Sequence, residues 1–370
     1  MPGLDALRGI AVLAVVAYHG LHWWLPPAKS FSPAVQFVSS LTTPGWQGVY
    51  LFFTLSGFLI TGILLESRTH ANYWKNFYVR RALRILPLYV VLLLLLRFYS
   101  HLNWFYLLLC LLYLANFAAW LPGEHYGPLW TLAVEEQFYL VWPLLARFLR
   151  LRTLALICLG SIVVSPLLRY LSASGVLPLG DSSSATWLVT DNLAAGALLA
   201  ILLRTPAATL PRVRALAFAT GLLGMALLAA GARLHLLSRS TPGGAAFSPE
   251  PAVFLSSALL LLSLEFGGRP LVFRITQPLR FFGYISYGLY LLHLLGFKVF
   301  QDLFVDFHQV PAELTLGPLL LRFVSVLGAT TVVCLLSRRY FEEYFLRLKD
   351  RLVPYVPVAV EASRASSQPG

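Results

Sequence analysis

The sequence predicts an all-α integral membrane protein: a polytopic helical bundle of about ten net transmembrane helices with both termini in the cytoplasm. Three observations carry this. Of the 370 residues, 58% are hydrophobic and only 12% are charged. The mean hydropathy is +0.72. Apolar runs recur from end to end, more than a water-soluble core requires. A spanning helix takes about 20 mostly apolar residues, and runs of that kind occupy 4–25, 46–65, 85–100, 103–121, 131–149, 152–171, 186–203, 212–232, 251–266, 281–300 and 315–336.

The first run is too long, and too soon followed by another, for a cleaved signal peptide, and Arg8 puts charge where such a peptide is apolar. Cys110, Cys158 and Cys334 lie within apolar runs with no metal spacing, which predicts buried thiols and no metal site. The formal charge of +12 is explained by membrane orientation without any nucleic-acid partner. With the N-terminus inside, the loop after the first run has one cation, Lys29, whereas the next, 66–84, holds Arg68, Lys75, Arg80, Arg81 and Arg84. Eleven full crossings would place Arg147, Arg150 and Arg152, then Arg204, Arg212 and Arg214, then Arg269, Arg274 and Arg280, outside the cell. One net crossing over 85–121 returns them all to the cytoplasm and leaves Glu124, Asp181, Glu250, Asp302 and Asp306 outside. One of the two runs in 85–121 is therefore expected to be re-entrant, short or buried in the bundle, and either one fits. Residues 1–351 are expected to form one transmembrane domain, and 352–370, rich in Pro, Ser and Ala, a disordered cytoplasmic tail.

The stretch "LDALRGIAVLAVVAYH" places Arg8 and His19 eleven residues apart on a helix, about 20° apart in azimuth and roughly 16 Å apart along the axis. Ionisable groups at membrane depth face the bundle interior or a watery cavity, so the pair suggests two ends of a path. In "GPLWTLAVEEQFYLVWPLL", Thr131, Glu135 and Tyr139 form one stripe at i, i+4 spacing, while Glu136 points about 100° away. A carboxylate beside an imidazole makes it a better base toward an alcohol, which pairs Glu135 with His19. Asp191 and His293 suit either the site or helix–helix hydrogen bonds. Ser56 beside Gly57 suits either a nucleophile or small-residue packing. Arg81 and Arg84 share a face at i, i+3, with Arg80 beside them, and suit either the phosphates of a ligand, which guanidinium groups grip, or an orientation signal in contact with anionic membrane lipids. A phosphorylated acyl carrier inside and a hydroxyl acceptor outside would use this arrangement.

The chain resembles the membrane acyltransferase 3 family in "LDALRGIAVLAVVAYH", "FFTLSGFLIT", "RRALRILPLY", "LWTLAVEEQFYLVWP" and "ISYGLYLLH", five ordered motifs within residues 4–345. The resemblance implies an O-acyltransferase of the inner (plasma) membrane. It would move an acyl group, most often acetyl, from cytoplasmic acyl-CoA to a hydroxyl of a glycan, glycolipid or secondary metabolite, with acyl-CoA as co-substrate and no permanently bound cofactor. On that analogy His19 and Glu135 handle the proton, and Arg8, Arg81 and Arg84 contact the donor. Thr131 stands where many members have Ser, and Thr190 precedes Asp191 where Arg is expected. Lacking the esterase-like domain that some members add, the chain would act alone or with a partner. The other reading of the same intramembrane charges is a transporter or flippase for a polar or amphipathic substrate, and a third is a noncatalytic acyl-CoA sensor.

Overall fold

A computed structural model describes residues 1–121, 125–181, 183–305 and 311–353. The described residues are helical, without a named strand. Helix α1, Pro2–Tyr18, runs into a π-helical turn, His19–Trp23, and α2, Pro33–Thr42, joins α3, Gly48–Glu66, through a 3-10 turn. Next come α4, Tyr73–Phe98; α5, Trp104–Leu111, with a 3-10 turn Ala115–Trp120; α6, Pro128–Phe148; α7, Leu151–Ala173; and α8, Asp191–Leu202. The rest is α9, Leu210–Arg233; α10, Pro242–Phe247; α11, Glu250–Phe266; α12, Pro270–Ile275; α13, Gln277–Tyr284; α14, Ser286–Phe304; α15, Leu316–Leu336; and α16, Glu343–Leu352.

Among the described residues, six helical runs are long and apolar enough to cross a membrane: Pro2–Trp23, Pro33–Glu66, Leu151–Ala173, Leu210–Arg233, Pro242–Phe266 and Leu316–Lys349. α4, α6 and α14, at 26, 21 and 19 residues, are also long enough. They are set apart by the charged and polar residues they carry, Arg81, Arg84 and Arg97 on α4, Glu135 and Glu136 on α6, and His293, Lys298 and Asp302 on α14, several of them singled out above. Outward faces are apolar: Leu156, Val163, Phe218, Leu222 and Leu321 are each at least 68% exposed, as lipid-facing side chains are.

Two expected spans are not membrane-length helices. In 103–121, α5 has eight residues, capped by the Asn103 side chain on Phe105 N–H, and rises only about 12 Å. The following backbone is held by side chains: Gln137 donates to Tyr113 O at 2.7 Å and to Asn116 Oδ1 at 2.9 Å, and Thr186 donates to Gln137. Such substitute partners let non-helical backbone sit at membrane depth. In 186–203, α8 has 12 residues, about 18 Å. The expected tail lies outside the described residues from 354 onward.

Pairwise contacts fix relative directions. α3 and α6 run parallel, because Ser56 meets Glu135 and, further along both, Thr61 meets Trp142. α3 and α8 are also parallel, with Gly57 against Leu193 and Glu66 paired to Arg204. Here the backbones touch: a Cβ at Gly57 would overlap the Leu193 carbonyl, and one at Gly196 the Thr54 carbonyl. α7 lies against α8 and α10, and one buried cation ties this corner to α11. Arg169, 1% exposed, pairs with Asp191 at 2.7 Å and with Glu250, and donates to the carbonyls of Leu188 and Ala246.

Candidate functional site

Four helices build a cavity of about 220 Å³ inside the bundle, and α1 contributes Arg8 to its wall. α3 supplies Ser56, α6 Thr131 and Glu135, α14 Tyr287 and Tyr290, and α4 Arg81 and Arg84. The α6 stripe does what its spacing predicts. Glu135 accepts a hydrogen bond from Ser56 Oγ at 2.6 Å, one turn earlier Thr131 bonds the Tyr290 hydroxyl at 2.7 Å, and one turn later Tyr139 lies under Arg81, whose guanidinium carbon is 3.7 Å from the ring centroid. Stacking of this kind is worth about 0.5–2 kcal/mol and sets the plane of the guanidinium. Arg81 Nε is buried and bonded to no described residue, as is Glu136 Oε1 on the neighbouring face of α6.

The cavity is cationic on its α1 and α4 sides. Arg8, half-buried, is held by Asp5 at 2.9 Å within its own helix. Arg84 borders both this cavity and a smaller one of about 30 Å³ that Arg338 and Glu342 also line. Arg338 pairs with Glu342 at 3.5 Å and was not singled out from the sequence. Three guanidinium groups line one void that the Glu135 carboxylate also borders, with Asp5 2.9 Å from Arg8, and guanidinium groups are able to bind anionic groups.

His19 begins the π-helical turn that follows α1, and such turns recur at functional positions. The expected His19–Glu135 pair is not made. His19 Nδ1 lies 3.1 Å from His293 Nε2 and 2.9 Å from Val15 O. The reason is α14, which stands between α1 and α6: His293 reaches α1, and Tyr290, three residues earlier, reaches Thr131 on α6. The two rings of α14 have centroids 6.0 Å apart. A polar ladder thus runs His19, His293, Tyr290, Thr131, with Glu135 and Ser56 one turn further along the α6 and α3 faces. Tyr290 was missed, although its i, i+3 spacing to His293 in "ISYGLYLLH" placed it on the same face. Asp191 is not brought to this cavity; it is a partner of Arg169. Ser56 faces Glu135 while Gly57 makes the helix packing, so the two readings of that dipeptide divide between its residues.

A larger cavity of about 1100 Å³ lies among α4, α14 and α15. It is lined by aliphatic side chains with Arg322 at one margin, and none of the ladder residues borders it.

These features define a multi-pass membrane protein with a cavity among its helices into whose largely apolar wall Arg8, Arg81, Arg84 and Glu135 are set. The chain belongs to the acyltransferase 3 family: the family's model, described as an acyltransferase domain, matches residues 1–339. Among similar proteins, one of Staphylococcus aureus (strain MSSA476), provisionally named an O-acetyltransferase, is 36% identical over 169 residues, 39% of this chain and 24% of that protein. The peptidoglycan O-acetyltransferase OatA of Listeria monocytogenes is 32% identical over 166 residues, again 39% of this chain and 24% of the relative. A Bacillus subtilis protein provisionally named a peptidoglycan O-acetyltransferase, YrhL, is 34% identical over 168 residues, 39% of this chain and 23% of the relative. The matched stretch thus spans about a quarter of each relative's length. No solved structure matches.

Proposed function

We propose that this protein is an O-acyltransferase of the plasma membrane. It takes an acyl group, most often acetyl, from cytoplasmic acyl-CoA and places it on a hydroxyl of an envelope glycan, glycolipid or secondary metabolite. The observation that carries this reading is the cavity itself, with Arg8, Arg81 and Arg84 on one side and the Ser56–Glu135 and Thr131–Tyr290 pairs on the other. The guanidinium groups suit the phosphates of the donor, whose thioester would lie toward the polar ladder. The hydroxyl proton passes to His19, the oxygen attacks the thioester carbon, the C–S bond breaks as the ester C–O bond forms, and the departing thiolate recovers the proton. Glu135, fixed by Ser56, holds and orients polar groups in the cavity and is not in direct contact with His19. The peptidoglycan named for two relatives makes envelope glycan the first acceptor class to test.

The parallel directions of α3, α6 and α8 support ten net crossings with both termini inside. Parallel α3 and α6 require an odd number of crossings by the chain that joins them: in this reading α4 crosses and the short α5 segment does not. In this reading the non-crossing segment of 85–121 is the one that holds α5, whose eight residues support it.

The test uses membranes holding wild-type protein, His19→Ala or Glu135→Gln at matched folded levels, supplied with labelled acetyl-CoA. Label entering a glycan or lipid fraction only with wild type supports the reading and identifies the acceptor fraction. Transfer retained by both variants overturns the assigned roles. Substrate movement across the membrane without acyl-CoA, indifferent to Arg81 and Arg84, would favour the transporter reading.

A further inference from the structure

The His19–His293 contact determines which nitrogen of His19 is free. His293 Nδ1 faces two backbone carbonyls, Tyr290 O at 2.8 Å and Leu289 O at 3.2 Å. Carbonyl oxygens only accept, so Nδ1 carries a hydrogen and donates. His293 is 1% exposed, and a charged imidazolium buried there without a carboxylate partner is costly. The ring is therefore neutral, with its lone pair at Nε2. That lone pair faces His19 Nδ1 at 3.1 Å, and the other neighbour of His19 Nδ1 is Val15 O at 2.9 Å. Both neighbours accept, so His19 Nδ1–H donates to both in a three-centre bond.

A neutral imidazole has one N–H. His19 Nε2 is consequently bare, and it bonds to none of the described residues. We infer that His293 is a positioning residue: by accepting from His19 Nδ1–H it fixes the tautomer and ring plane of His19 and leaves Nε2 as the atom that takes the acceptor's proton. The use made of Nε2 rests on the acyl-transfer reading, whereas the tautomer rests on the hydrogen bonds alone. When Nε2 is protonated in the reaction, the positive ring keeps two acceptors at Nδ1, Val15 O and His293 Nε2, which stabilise it. The arrangement has the logic of a base oriented by a third group, with a neutral imidazole in place of the carboxylate expected from sequence.

The experiment is nitrogen NMR of histidine-labelled full-length protein in lipid nanodiscs, with His19 assigned by its loss in His19→Ala, alongside donor and acceptor kinetics of two His293 variants. A His19 protonated at Nδ1 and bare at Nε2 in the wild type supports the inference. In His293→Gln the amide oxygen can still accept, so kcat stays within about threefold; in His293→Leu it falls roughly tenfold to a hundredfold with donor KM little changed, a part of the 10²–10⁴ that a positioned base contributes. A wild-type His19 protonated at Nε2 overturns the inference, and so does a folded His293→Leu that turns over like wild type. If His19→Ala transfers normally while wild-type His19 shows the stated tautomer, it is the acyl-transfer role of His19 that fails.

Discussion

Replacing Arg169 by Met removes the cation that Asp191 and Glu250 share. Asp191 is 0% exposed and Glu250 13%, so neither carboxylate gains water in exchange, and the Leu188 and Ala246 carbonyls each lose a donor. Breaking a buried pair from one side costs about 3–5 kcal/mol because an uncompensated charge is left behind. With two carboxylates abandoned, the upper part of that range is expected. Met, Leu and Gln at 169, 191 and 250 together restore at least half of the loss, since replacing a whole buried ionic cluster with well-packed side chains of similar volume is often neutral. The assay is unfolding of the full-length protein in one fixed detergent, followed by the fluorescence of its nine tryptophans, with transfer measured per folded molecule. A loss below about 1 kcal/mol, the scale of an exposed pair, would refute the reasoning. Asp191→Asn is expected to lose stability and keep its turnover; lost turnover at unchanged stability would return Asp191 to the active site.

Ser56→Ala strips Glu135 of its 2.6 Å donor; the unpaired acceptor costs about 1–3 kcal/mol, and acyl transfer should fall tenfold or more in a labelled-donor assay. Arg81→Lys keeps the charge but loses the planar stack on Tyr139, so donor KM should rise by about 1 kcal/mol, or fivefold, in a donor titration; unchanged KM would deprive that stack of a binding role. Gly57→Val forces α3 and α8 apart where their backbones touch and should lower stability by about 1–3 kcal/mol in the same unfolding assay.

Helices governed by length and apolarity were legible. The expected runs 152–171, 212–232, 251–266 and 315–336 became Leu151–Ala173, Leu210–Arg233, Glu250–Phe266 and Leu316–Leu336, because in lipid an unbroken apolar run has little alternative to a helix. The 103–121 run was ambiguous because what breaks it is Gln137 on another helix, bonding Tyr113 and Asn116, and composition carries no trace of that. Within-helix geometry was equally readable: Thr131 and Glu135 face one cavity as their spacing requires. What failed was the partner of His19. Choosing between Glu135 and His293 requires the relative rotation of α1, α6 and α14, and His293 is 274 residues away in the chain. Periodicity fixes which face a residue occupies, not which helix that face meets.

Ser56 and Gly57 are neighbours on α3 that face about 100° apart, one toward Glu135 and the other into the backbone of α8. α8 has no side chain in the cavity, yet its contact distance at Gly57 and Gly196 determines how far α3, and therefore Ser56, stands from α6. Sequence change in this architecture should register that dependence: side-chain volume at 57 and 196 is expected to vary as a pair, and a library seeking altered acceptor preference should randomise the seam between α3 and α8 together with the residues that touch the reactants.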